Sequence, residues 1–298
     1  MDYNPEGGMN NQLNALTSLF FRRNYKKFFE EHHINISNSI DIANGLYLHT
    51  AVGLRNELML GNYSDYSFFY NNTRDYTLNL PVYDAEALAK NLNNRETYFK
   101  LGLEYTPQYY YKVWGGKKHY QHSKYPTLFL NYRKAVKGVA GSDASYDFLE
   151  IGAQQKKEWG MMHSFTWYIT AGSYLTKDKL FLSDYKFFNN QPLPVIFGST
   201  KNSFYLPGLY ENYTNKNYVE GHVTFTTPYL LLKYIPFISD KMWLENIQVN
   251  YLYTKQLGHY WEAGYCLSQI YAVGGIGIYA GFNGTQYQSA GVRFVFGF

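Results

Sequence analysis

Apolar residues fall on every second position in eleven stretches of this chain, near 32–42, 45–57, 97–107, 127–138, 146–157, 162–175, 217–227, 245–255, 259–270, 272–282 and 286–298. A period of two puts alternate side chains on opposite faces of a strand, whereas a helix face repeats every three or four residues. In 245–255, Ile247, Val249, Tyr251 and Tyr253 share one face and Asn246, Gln248, Asn250 and Thr254 the other. Residues 162–175 set Phe165, Trp167, Ile169 and Ala171 against Ser164, Thr166, Thr170 and Gly172. Residues 97–107 set Phe99, Leu101, Leu103 and Tyr105 against Lys100, Gly102, Glu104 and Thr106. Each stretch is about as long as a tilted strand must be to cross a bilayer. The pattern predicts an all-β fold, an antiparallel transmembrane β-barrel of about 12 strands that takes up residues 1–298 as one domain. A closed bacterial barrel has an even strand number, so a twelfth strand is expected in 10–22 or from a segment upstream. Residues 22–30 are expected to form a short helix or to continue a strand.

The last stretch says most about location. Val292, Phe294, Phe296 and Phe298 alternate with Gly291, Arg293 and Gly297, and Phe298 is the final residue. A closing strand of this kind reads as the signal that barrel-insertion machinery takes from an outer-membrane client. Composition agrees: 33 Tyr and 21 Phe exceed the needs of a soluble core and suit the aromatic girdles of a membrane barrel. Mean hydropathy is nevertheless −0.40, because half of each barrel strand faces a polar lumen. No window approaches 18 consecutive apolar residues, so no helical span is expected. The opening Met-Asp-Tyr-Asn-Pro-Glu is no signal peptide, and an outer-membrane protein needs one; the chain is expected to be the C-terminal part of a longer precursor. The net charge of +4 is mild and its basic residues are scattered, which argues against nucleic acid as a partner. A lone cysteine, Cys266, excludes an internal disulfide framework.

Connections divide into tight and long. Asn44-Gly45 and Asn283-Gly284 are hairpin dipeptides. Long connections fall at 58–96, 109–126, 176–216 and 228–244, with a short helix expected over 84–95. With the last strand ending in the periplasm, 58–96 and 176–216 lie outside, and 109–126 and 228–244 inside. Barrels keep long loops outside, so 109–126 inside strains the rule and points to a miscounted strand nearby.

Several short motifs stand together in order: Arg23-Asn24-Tyr25-Lys26-Lys27-Phe28-Phe29-Glu30, Asn44-Gly45-Leu46-Tyr47-Leu48, Asp65-Tyr66-Ser67-Phe68-Phe69, Tyr125-Pro126-Thr127-Leu128, Asn131-Tyr132-Arg133-Lys134, Tyr146-Asp147 with Leu149-Glu150, Asp184-Tyr185-Lys186-Phe187-Phe188-Asn189 and Lys233-Tyr234-Ile235-Pro236. Together they resemble the barrel half of an uncharacterised family of outer-membrane proteins, in which a carboxypeptidase-regulatory-like domain precedes the barrel. More distantly, that barrel is similar to the outer-membrane assembly and secretion superfamily. The likeness implies a sixteen-stranded barrel of which this chain holds about twelve strands, with 176–216 as a loop folded into the lumen. That superfamily's loop carries a Val-Arg-Gly-Phe/Tyr finger, whereas 176–216 has no arginine. The inward loop is expected to present Asp184, Tyr185, Lys186, Phe187, Phe188 and Asn189, and its nearest offerings in place of the finger are Phe187-Phe188-Asn189 and Gly208-Leu209-Tyr210.

On the strand phases, Lys100, Glu104, Arg133, Glu150, Glu220, His222, Glu262 and Arg293 point inward. They form a polar network that anchors the inward loop or lines a solute path; the plainer reading is that lumen charges pair across strands. His119, His122-Ser123 and His163-Ser164 are the candidates for hydrolysis, but His122-Ser123 lacks the Asn-Gly that follows in outer-membrane phospholipases. His32-His33 and Glu30-Glu31 are neighbours on a strand and face opposite ways, which makes them poor joint metal ligands. No catalytic residue, metal or other cofactor is expected. The Tyr- and Asn-rich stretches 63–76 and 205–218 suit partner or glycan contacts. The expected function is non-enzymatic, in outer-membrane biogenesis, export or partner docking. The expected partners are outer-membrane lipid, barrel-insertion machinery and envelope proteins. A passive channel for small solutes is the alternative, and an outer-membrane hydrolase a remote one.

Overall fold

The computed structural model describes residues 1–5, 7–81, 93–197, 201–228, 230–236, 241 and 243–296. A helix, α1 (Asn11–Phe21), comes first, followed by β1 (Phe29–Ala43), β2 (Leu46–Met59), β3 (Asn94–Tyr105), β4 (Tyr110–Trp114), β5 (Lys117–His122) and β6 (Thr127–Ala135). Then come β7 (Ser145–Trp159), β8 (His163–Lys179), β9 (Lys186–Phe187), β10 (Val195–Phe197) and β11 (Tyr213–Thr214). The chain closes with β12 (Tyr218–Thr227), β13 (Leu244–Thr254), β14 (Gly258–Ile270), β15 (Gly274–Asn283) and β16 (Gln286–Phe296). The fold is mostly β, and its main sheet has twelve members in the order β1-β2-β3-β6-β7-β8-β12-β13-β14-β15-β16-β10. The eleven long strands match the eleven period-two stretches to within a few residues, because each has one face that must be apolar and one that must not.

Every neighbour in the sheet is antiparallel except β10, which pairs parallel to β16 through Val195↔Phe294, Ile196↔Val295 and Phe197↔Phe296. Among the described residues β1 pairs with β2 alone, so the hydrogen-bonded sheet is not closed. Ten antiparallel steps of alternating direction leave β1 and β16 running the same way.

Residues 10–22 are not the twelfth strand. Asn10 caps a helix there: its side-chain oxygen accepts from the backbone N–H of Gln12 at 2.6 Å and of Leu13 at 3.4 Å. The segment Asn11-Gln12-Leu13-Asn14-Ala15-Leu16 has no β-branched residue to favour a strand. Arg22 ends the helix in the left-handed region (φ 54°) and returns its N–H to Ser18. Residues 22–28 then run without a helix to β1. No strand is miscounted near 109–126: β4 and β5 form a separate hairpin there, outside the main sheet. The helix expected over 84–95 falls mostly outside the described residues, and Asn94 and Arg95 open β3.

The two faces of the sheet differ. Ile34, Ile36, Val52, Ile151, Ile169 and Ile278 stand on the outer face, with Ile34 and Ile36 72% and 78% exposed. The inner face carries buried Glu57, Glu96, Glu150 and Glu262, and the 180–217 connection lies against it, with Phe187, Phe188, Phe204 and Tyr205 buried; the outer face keeps a charged cluster, Lys134, Asp147 and Tyr132.

Candidate functional site: the anchors of the inner connection

Three strand-borne groups of side chains grip the 180–217 connection. The first is built from β2, β3, β6 and β7. The register aligns Arg55 with Glu96, and Ala135 with both Tyr98 and Tyr146, which brings the inward residues Arg55, Glu57, Glu96, Arg133 and Tyr146 to one place. A one-turn segment, Leu182–Asp184, delivers Asp184 into the middle of them. The Arg55 guanidinium pairs with Glu57 at 2.6 Å and also with Glu96 and Asp184. Arg133 donates to Glu96 at 3.0 and 2.7 Å and to Asp184 at 3.3 Å. Tyr146 Oη lies 3.0 Å from Glu96 and 2.9 Å from Asp184, and Tyr174 donates to the Asp184 carbonyl at 2.6 Å. Asn94 donates to Glu57 at 3.0 Å and to Asp184 at 3.3 Å, and Ser183 donates to Glu57. Two guanidiniums thus face three carboxylates away from water. Burial and the nearby Glu96 push the Asp184 carboxyl above its ordinary range, against the pull of Arg55, Arg133 and Tyr146. Buried ions persist only where such partners surround them, so this group fixes one geometry of the connection.

The second anchor is Glu150, which accepts from Lys186 at 3.3 Å, from Asn131 at 3.0 Å and from the Tyr218 hydroxyl. Gly172 makes that last contact feasible: a Cβ there would stand 2.3 Å from the Tyr218 ring. The third is Glu262 of β14. Its carboxylate accepts from the backbone N–H of Tyr205 at 2.8 Å and of Leu206 at 3.0 Å, and from Tyr260 at 2.7 Å.

Of the inward residues expected from the sequence, Arg133, Glu150 and Glu262 bond to the connection, and His222 packs against its Phe204 ring at 4.9 Å. Glu220 and His222 pair with each other at 3.0 Å, and His222 reaches Asn250 at 2.9 Å. Lys100 stands opposite Arg133 and over the Tyr98 ring at 4.9 Å, without a carboxylate in reach among the described residues. Glu104 is exposed between Tyr47 and Phe129. Arg293 donates to the Val292 carbonyl at 3.0 Å and forms no ion pair among the described residues. Within the connection, Tyr185 stacks on Tyr213, Phe187 meets Tyr210 edge-on, and Asn189 donates to the Lys201 carbonyl at 3.1 Å, while Phe188 meets Tyr218 of β12 edge-on. Val292, Phe294 and Phe296 stand on the outer face; Phe298 lies outside the described residues. Ser123 donates to the Pro107 carbonyl at 2.6 Å while His122 stacks on Tyr110. Sequence reasoning missed Arg55, Glu57 and Glu96. The first two sit on the inward phase of 45–57, and Glu96 lies just ahead of 97–107, so phase alone could have found them.

Below the first anchor a cavity of about 500 Å³ remains, lined by Lys100, Arg133, Phe148, His49 and Ser37 among others. The same sheet and connection carry a family assignment. Residues 1–267 match the C-terminal domain of DUF5686, a family of unknown function. The chain belongs to that family. The match takes in α1, the inner connection and every residue of the three anchors, and it stops before β15 and β16. No curated protein matches this DUF5686 chain.

Proposed function

We propose that this DUF5686 domain is an outer-membrane β-barrel whose lumen is filled by its own 180–217 connection. It works without catalysis, in outer-membrane biogenesis, export or the docking of envelope partners. The observation that carries the reading is the inversion of the sheet's faces. Large apolar residues such as Ile34, Ile36, Val52 and Ile151 are exposed on the outside while Glu57, Glu96, Glu150 and Glu262 are buried inside. In water such an outer face would be a broad aggregation surface; against lipid it is the stable arrangement. Lipid contact also demands that no sheet edge stay unpaired. Because β1 and β16 run the same way, an antiparallel closed barrel needs an odd number of further strands between them, and β10, being parallel, is not one of these.

With β16 ending on the periplasmic side, the 180–217 connection enters from outside and reaches the far end of the lumen, where β10 meets β16. A lumen filled in this way favours docking or assembly over free diffusion. The second reading, a small-solute channel, draws on the 500 Å³ cavity beside Lys100 and Arg133. Affinity purification of the full-length protein from native outer membranes tests the proposal. Co-purifying envelope proteins are the expected result; a protein that fractionates with the soluble pool, or that comes alone and conducts ions steadily, overturns it.

A further inference from the structure

We propose that the cavity where residues 22–27, 74–81 and 208–213 meet binds a saccharide that carries an oxyanion, either carboxylate or phosphate. The cavity is about 550 Å³, within the range of small-molecule sites, and it lies apart from all three anchors. Four cations reach it, Arg22, Arg23, Lys27 and Arg74, against the carboxylates Asp75 and Glu211. Both carboxylates are already engaged. Asp75 stands 3.6 Å from Arg22, which also pairs with Asp65, and Glu211 accepts the Gly208 N–H at 2.8 Å. Arg23, Lys27 and Arg74 have no carboxylate within ion-pair distance among the described residues.

Lys27 is the decisive group. It is 5% exposed, and its ammonium donates to a neutral oxygen, Thr77 Oγ1, at 2.6 Å. A buried ammonium without a counter-charge is disfavoured, and the protein holds this one firmly. The Lys27 backbone N–H donates to Tyr210 Oη at 2.7 Å, and that hydroxyl donates to Asp2 at 2.7 Å. Burial accordingly lowers the Lys27 ammonium to about 8. An incoming oxyanion supplies the missing charge, and the Arg23 and Arg74 guanidiniums are suited to grip it in bidentate fashion. Tyr25, Tyr213 and Leu80 line the cavity with aromatic and apolar surface for the C–H face of a sugar ring, while Asn24 and Thr77, bonded to each other, fix the wall beside Lys27. A neutral sugar would leave Lys27 unpaired, and a bare anion would leave the aromatic wall uncovered.

Calorimetry on the detergent-purified full chain tests the site, whatever the barrel's role in the envelope. The probes are glucuronate, glucose 1-phosphate, glucose and inorganic phosphate. At least one acidic sugar is expected to bind about tenfold or more tighter than glucose and than phosphate, with the carboxylate and phosphate arms telling the two anions apart. Lys27→Met should abolish the binding. The rim variant Arg23→Gln with Arg74→Gln, which leaves the buried lysine in place, should weaken it about tenfold without changing the melting temperature. Three results overturn the proposal: no acidic sugar binding at about 10 mM, glucose or phosphate binding as tightly as the acidic sugars, or unchanged affinity in the rim variant.

Discussion

The anchors at Asp184 and at Glu262 hold the same connection by different physics. At Asp184 the wall contributes two guanidiniums and two carboxylates of its own, and the connection adds a third carboxylate. At Glu262 the wall contributes a carboxylate and the connection offers two backbone N–H groups. The first depends on a balance of charge among several strands, so its wall residues cannot change one at a time. The second depends on the local backbone path of Tyr205 and Leu206, and is indifferent to which side chains those residues carry. One anchor specifies partners; the other specifies shape.

The contrast breaks most visibly at Arg55. Arg55→Met leaves one guanidinium among three buried carboxylates and should destabilise the folded protein by about 3–5 kcal/mol, read from denaturant unfolding in micelles. Asp184→Asn should do less in the same assay, since Glu57 and Glu96 still balance Arg55 and Arg133. Glu262→Gln keeps one acceptor for two N–H groups and strands the other, for a loss of about 1–3 kcal/mol. An equal response of Arg55→Met and Glu262→Gln would erase the distinction between the anchors.

Lys27 sharpens the comparison from outside both anchors, because it is a buried charge that lacks the balance Asp184 enjoys. Its ammonium titrates at about 8 in the folded chain and near 10.5 unfolded. Between those values the unfolded state holds the extra proton, so stability should climb as pH rises from 8 towards 10.5. In Lys27→Met this part of the pH profile should be flat. The smallest effect is expected at the sheet edge. Phe197 is half exposed and stacks on Phe296 at 5.6 Å, so Phe197→Ala should lower stability by about 0.5–1.5 kcal/mol.

The strands were legible because a sheet with one apolar and one polar face writes its period into every stretch, and inward phase alone picked out Arg133, Glu150 and Glu262. What escaped has physical causes. α1 occupies a segment too short in apolar alternation to be told from a strand end, and its start rests on the side chain of Asn10. β10 spans three residues, too few for any period, and exists because β16 leaves an edge to pair with. The Arg55–Asp184 pair joins residues 129 apart in sequence, and such proximity follows from the path of the connection and not from local pattern.

A connection that fills a membrane barrel and is pinned there should keep it shut, which single-channel recording of the full-length protein in planar bilayers measures. The wild type should show little steady conductance, with a clear rise when Asp184→Asn and Glu262→Gln are combined to loosen both anchors. A wild type that conducts steadily, with the double variant no different, would contradict it.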